Sequence, residues 1–159
     1  MTDLWAAAVS AQGLLDAARI LAQRYHLVIT NVPYLSRGKQ HDALRGYCEE
    51  NYSRGRYDLA CVFIERCYEL ANELGTVCVV SSQNWWFLGI YESFRRWLLL
   101  ETRIGLIAAH GEDAWQHFGD RGPLATLMLG TKTSPSRGPI YGLNAICRAR
   151  PESGSNLTV

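Results

Sequence analysis

The stretch YHLVITNVPYL, residues 25–35, runs Leu27, Val28, Ile29 and Thr30 directly into Asn31, Val32, Pro33 and Tyr34. A continuous apolar run with β-branched members reads as a strand buried on both faces, as in parallel sheets. Just upstream, GLLDAARILAQR (13–24) places Leu14, Ala17, Ala18 and Leu21 on one helical face. The unit is therefore a helix, a buried strand, and a strand end that gathers an amide, a rigid bend and an aromatic ring.

Downstream, residues 35–57 are polar and carry Gly38, Gly46 and Gly55, with DALRGYCEENY able to form a short helix inside an excursion over a site. Asp58 is a plausible N-cap, and Leu59, Val62, Phe63, Cys67, Leu70 and Leu74 then repeat at helical spacing until Gly75 offers a stop. TVCVVSS (76–82) reads as a second buried strand and also enters a polar and aromatic end, Gln83-Asn84-Trp85-Trp86-Phe87. A third helix is predicted near 90–101, strands at 103–109 and 124–131, and one short strand around Ile140 to Ile146. Residues 1–133 are expected to form the folded domain. Residues 134–159, richer in Pro, Gly and Ser, read as a flexible tail or the start of a truncated next segment. Alternating helices and continuous apolar strands predict an α/β fold with a mostly parallel sheet, whose ligands bind at the carboxyl ends of the strands.

Composition sets limits on function. The chain has 159 residues, 48% of them hydrophobic, enough for one domain with a real core, and sixteen basic against fifteen acidic residues leave a net charge of +1. The overall field therefore points neither to nucleic acid nor to a membrane surface. The five cysteines (Cys48, Cys61, Cys67, Cys78 and Cys147) show no zinc-ligand spacing, and an odd number argues against a disulfide framework. No apolar run reaches the roughly 18 residues a membrane helix needs, so a cytoplasmic location is expected.

Taken alone, Asn-Val-Pro-Tyr also fits an Asn-initiated turn bent by Pro33. Its surroundings add meaning. NVPYLSRGKQ, DLACVFIERCYEL and VVSSQNWWFL before YESFRRWLL follow one another as in the adenine-specific DNA methyltransferases of the Asn-Pro-Pro-Tyr type. The chain resembles that family, which includes restriction-modification and phage-defence methylases, from about Leu14 to Lys132.

The chemistry of such an enzyme explains the motif. An adenine amino group is a poor nucleophile, because its lone pair is delocalised into the ring, and the base must leave the duplex to be reached. Two acceptors aimed at the amino hydrogens favour a pyramidal nitrogen whose lone pair faces the methyl group of S-adenosylmethionine. The resemblance implies that the acceptors are Asn31 Oδ1 and the Val32 carbonyl, that Pro33 fixes the loop, and that Tyr34 stacks on the flipped base. Val32 stands where proline is usual and has a freer φ and an extra N–H. By the same resemblance, Phe118 in HFGDRGPLATLML packs on the other face of the adenine, a loop aromatic folded on the sheet edge being the alternative. Arg37 and Lys39 are candidates for phosphate contact, or simply solvated charges. Trp85, Trp86 and Phe87 read as wall and packing residues.

The family holds S-adenosylmethionine on a glycine-rich turn after a first strand, with an acid after the second, and nothing before Tyr25 supplies these. The expected fold is thus a partial Rossmann-like methyltransferase domain with its early strands missing and an apolar edge exposed, completed by a second chain or segment. The expected function is a fragment of an enzyme that methylates N6 of adenine in DNA, inactive alone. A non-catalytic remnant or binding module, or a methyltransferase acting on RNA or protein glutamine, is the alternative.

Overall fold

The computed structural model describes residues 2–111, 124–135 and 138–145. Its helices are α1 (Thr2–Ala22), α2 (Asp42–Asn51), α3 (Leu59–Leu70), α4 (Asn84–Phe87) and α5 (Glu92–Glu101), and its strands β1 (Tyr25–Asn31), β2 (Ala71–Ser82), β3 (Arg103–His110), β4 (Ala125–Thr131) and β5 (Tyr141–Ala145). The strands form one sheet in the order β1-β2-β4-β3-β5. β1 pairs parallel to β2 and β3 parallel to β5, whereas β4 runs antiparallel to both its neighbours. Four strands therefore point one way and β4 alone is reversed. The α/β class expected from the alternation holds, with a sheet that is mixed at one strand.

The unit that fixes this arrangement is β1-α3-β2, a parallel crossover. Asp58 caps α3 by accepting the Ala60 N–H at 2.9 Å, leaving one fewer unpaired donor at the helix start. Ala60, Cys61, Ile64, Cys67 and Tyr68 then face the sheet, where they meet Val32, Val77, Val79, Ile104 and Met128, while α5 adds Phe94 and Leu98 to the same core. Each fully buried side chain of this size contributes about 1.5–3 kcal/mol. The polar excursion has a small core of its own, formed by Cys48 of α2 with Tyr52 and Val62, and Leu44 and Leu59 pack against it.

Three expectations change. α3 ends at Leu70, not near Gly75, because Ala71 enters the sheet opposite Tyr25. The left-handed position is taken by Leu74, with φ 64°, and a Cβ on Gly75 would lie 2.8 Å from the Asn72 carbonyl and 2.9 Å from that of Tyr25. Gly75 thus serves close backbone approach, not helix termination. β1 is buried on one face only: Val28 packs against the core, while Leu27 and Ile29 are 54% and 68% exposed. It is an edge strand with β2 as its one neighbour, so half of its apolar pattern has nothing to cover it among the described residues. Finally, α1 begins at Thr2, well before residue 13, and its expected apolar face is uncovered, with Leu14 73% and Leu21 55% exposed. No helix among the described residues is long and apolar enough to cross a membrane.

Midway along α3 lies a buried carboxylate. Glu65 Oε1 has no hydrogen-bond partner among the described residues, and Arg54 is 3.8 Å from Oε2. Burial pushes the Glu65 carboxyl upward, against the opposing pull of the Gly55 N–H and Arg54. A carboxyl raised on folding favours the folded state most below its unfolded pKa, and that contribution is lost as pH rises through the higher folded value. Glu65→Gln is therefore expected to gain stability relative to the parent as pH rises from about 4 toward 7. Thermal melts across that window check it, and a flat difference would refute the assignment.

Candidate active site

Because β1 and β2 are parallel, Asn31 and Ser82 end on the same edge of the sheet, with Asn31 opposite Val80. β4 starts at that edge, Ala125 lying opposite both Ser82 and His110, and the Gln83 N–H donates to the Leu124 carbonyl at 3.0 Å. The two polar strand ends singled out in the sequence thus share the carboxyl edge, where open α/β sheets bind ligands. Gly111 follows β3 and Leu124 precedes β4 at that edge, on either side of the segment 112–123. Phe118 belongs to that segment and lies outside the described residues.

The motif divides by strand alternation. Asn31 shares the exposed face of Leu27 and Ile29, whereas Val32, next in line, is 3% exposed and sits in the core. The Val32 N–H donates to the Val80 carbonyl at 3.0 Å. That bond is one a proline could not make. It carries the β1-β2 ladder one residue past Asn31 and fixes the peptide that bears the Asn31-Val32 junction, so the N–H that distinguishes valine from proline is used to order the loop.

After Pro33, Tyr34 is half-buried against the core, and burial raises its hydroxyl pKa. Its hydroxyl lies 3.5 Å from Asn31 Oδ1, at the limit of a hydrogen bond. The chain is then tied to the start of α3. The Leu35 carbonyl accepts from Leu59 N–H at 2.9 Å and from Gln40 Nε2 at 3.1 Å, and Arg37 N–H donates to the Tyr57 carbonyl at 2.9 Å. Asp58, 7% exposed, accepts from Ala60, and burial pushes its carboxyl upward against the opposing pull of the Ala60 and Leu35 backbone N–H groups.

The basic candidates differ. Arg37 is engaged by Glu49, its Nε 2.7 Å from Oε1 with Nη2 contacting the same oxygen. Lys39 is exposed in the same short turn. The aromatic strand end is mostly a packing device: Trp85 is 1% exposed, donates from Nε1 to Ser81 Oγ at 2.9 Å, and meets Phe94 edge-on at 5.2 Å. Trp86 lies 4.0 Å from Trp85, while Phe87 is 75% exposed. The roles of Val80, as acceptor for the loop, and of the Leu59 N–H, which holds the Leu35 carbonyl, were not read from the sequence. The N–H of Val32 was the available signal for the first.

The described ends of β1, β2 and β3 carry no glycine cluster paired with an acid, so these residues do not form a cradle for S-adenosylmethionine. What the edge offers is an exposed side-chain amide beside a fixed peptide and an aromatic ring. Such a set accepts the hydrogens of an amino group and stacks on its ring.

Known proteins resemble the chain in sequence and in fold. The adenine-specific methyltransferase BrxX of Escherichia coli O9:H4 (strain HS) is 33% identical over 96 residues, which make up 60% of this chain and 8% of that protein. The chain thus spans less than a tenth of the length of that relative. Among solved structures, a class I S-adenosylmethionine-dependent methyltransferase from Listeria monocytogenes gives a TM-score of 0.59 at 13% identity, covering 77% of this chain and 38% of that one. The DrdV–DNA complex gives 0.64 at 15% identity, covering 86% and 16%. At these identities the two structures share the fold. The family model of the Eco57I restriction-modification methylases matches residues 5–115, the span that holds the motif, the excursion and both polar strand ends, and the chain belongs to that family.

Proposed function

We propose that this chain is the adenine-presenting part of an enzyme that transfers a methyl group from S-adenosylmethionine to N6 of adenine in DNA. The observation that carries the reading is the contrast at residues 31 and 32: an exposed amide joined to a buried residue whose N–H is bonded to Val80. Asn31 Oδ1 and the Val32 carbonyl would accept the two amino hydrogens, and Tyr34 would stack on the base, offsetting part of the few kcal/mol that unpairing costs. The methyl donor would be held by a segment beyond these residues. The unpaired edge of β1 and its exposed Leu27 and Ile29 are where such a segment, or a second chain, has backbone and apolar surface to meet. Phe118 is proposed for the second face of the base, and Lys39, with Arg37 once released from Glu49, for the phosphates beside it. The enzyme would work in the cytoplasm, where its DNA lies.

The test supplies tritiated S-adenosylmethionine, with unmethylated phage DNA, RNA or protein as acceptor, to the chain alone and to the chain co-expressed with the cofactor-side segment of a relative. Label is expected in N6-methyladenine, and only with the second segment present. Label in RNA or protein glutamine would overturn the choice of acceptor, and no label in any arm would favour a non-catalytic binding module.

Tyr34 divides its effect between ring and hydroxyl. Tyr34→Ala is expected to weaken productive DNA binding by about 1–3 kcal/mol, seen as a raised KM, whereas Tyr34→Phe keeps the ring and stays within a few-fold. Equal effects of the two would point to the hydroxyl instead.

A further inference from the structure

The motif loop is held at two points. The first is Val32, whose N–H donates to Val80 of β2; the second is Leu35, the residue after Tyr34. The Leu35 carbonyl accepts twice, from the Leu59 N–H that opens α3 at 2.9 Å and from Gln40 Nε2 at 3.1 Å. A carbonyl only accepts, so the NH₂ end of the Gln40 amide is the end that must face it. Gln40 closes the short turn Arg37–Lys39, where its own N–H donates to the Arg37 carbonyl at 3.2 Å and the Lys39 N–H to that of Ser36 at 2.8 Å. Its side chain thus folds back across the turn and closes residues 35–40 into a ring. Exposed Lys39 lies on that ring, and Tyr34 directly precedes it.

Packing does not account for a glutamine here. Gln40 is 5% exposed, and its Oε1 is buried with no hydrogen-bond partner among the described residues. An orphaned buried acceptor costs at least as much as one neutral hydrogen bond returns, so an apolar side chain of the same length would serve stability equally well. What the glutamine adds is a second donor on Leu35. We propose that Gln40 is a positioning residue for the adenine-presenting loop, tying Leu35 to the basic turn so that Tyr34 and the Val32 carbonyl keep a fixed relation to Asn31. The support beneath is rigid, because Leu59 begins α3 and α3 is seated in the sheet core through Cys61 and Ile64, both fully buried. Gln40 acts through the Leu35 backbone. Only its catalytic consequence rests on the methylase reading.

Gln40→Met keeps the length and loses both the donor and the orphaned acceptor. In hydrogen-exchange mass spectrometry of the chain, exchange across residues 34–40 is expected to rise about fivefold, with α3 and β2 unchanged. The urea midpoint is expected to be no lower than the parent's. Gln40→Leu, of different shape but equally without a donor, is expected to do the same. In the enzyme completed by its cofactor-side segment, Gln40→Met is expected to lower kcat by about tenfold with KM for DNA little altered. Unchanged exchange at 34–40 in Gln40→Met, or a lower midpoint with α3 loosened together with the loop, would overturn the tie. A raised KM at full kcat would assign Gln40 to the phosphate side of the turn and overturn the positioning role. A parent enzyme that methylates nothing while exchange rises as expected refutes the methylase reading and leaves the tie standing. An active parent with an unaltered kcat in Gln40→Met does the reverse.

Discussion

Asn31→Ala in the completed enzyme is expected to lower kcat for methyl transfer by about 10²–10³-fold, the usual cost of removing one preorganised polar group from a reacting centre. The chain itself should fold as before, because Asn31 is exposed and its side-chain contact with Tyr34 is only marginal. Asn31→Asp, which keeps an acceptor oxygen at the same reach, is expected to lose much less activity than Asn31→Ala, its cost coming from the lost amide donors and the added charge beside a cationic methyl donor. Single-turnover kinetics with matched circular dichroism of the variants make the measurement. Loss of activity accompanied by loss of structure would remove Asn31 from the chemistry.

The largest effect on stability is expected at Trp85. Trp85→Ala empties a site that is 1% exposed, strips Phe94 of its edge-on neighbour and Trp86 of its stacking partner, and leaves Ser81 Oγ without its indole donor. Large aromatic-to-alanine changes of this kind cost about 3–5 kcal/mol. The lost volume lies beneath the carboxyl edge, where Arg95 Nη1 also donates to the Trp85 carbonyl at 2.7 Å and to that of Leu88 at 2.6 Å. Urea unfolding should show a lower midpoint with little change in slope. A loss below about 1 kcal/mol would show that the surrounding aromatics close the gap.

Much of the fold was legible because local and global signals agree. Asp58 and the helical spacing of Leu59, Val62, Phe63, Cys67 and Leu70 mark α3, although its core face is Ala60, Cys61, Ile64, Cys67 and Tyr68 and Phe63 is exposed. The β-branched runs at 27–30 and 76–80 define the first two strands. Where the reading failed, a tertiary contact had overridden a local one. Leu74 continues the helical period, yet the pairing of Ala71 with Tyr25 draws the chain into the sheet four residues earlier, at the expense of a left-handed leucine. Leu27 and Ile29 look like the inside of a sheet, and periodicity cannot tell a buried neighbour from one that another segment must provide.

The candidate site divides in the same manner. Asn31, Val32, Pro33 and Tyr34 are contiguous, so sequence alone could place them together. The Val80 carbonyl and the Leu59 N–H reach the loop from 48 and 24 positions beyond Val32 and Leu35 respectively, and no local pattern announces either contact. Val32 itself shows how a departure from a motif can be read physically. The usual proline orders a loop by restricting φ, and here a backbone hydrogen bond to the neighbouring strand does so instead.

The measurement that bears most directly on this reading is a structure of the completed enzyme with an unmethylated DNA duplex and a non-reactive analogue of S-adenosylmethionine. An adenine should be found outside the duplex with its amino nitrogen within hydrogen-bond distance of both Asn31 Oδ1 and the Val32 carbonyl, and its ring stacked on Tyr34. An adenine bound elsewhere, or a Val32 carbonyl turned away from the base, would contradict it.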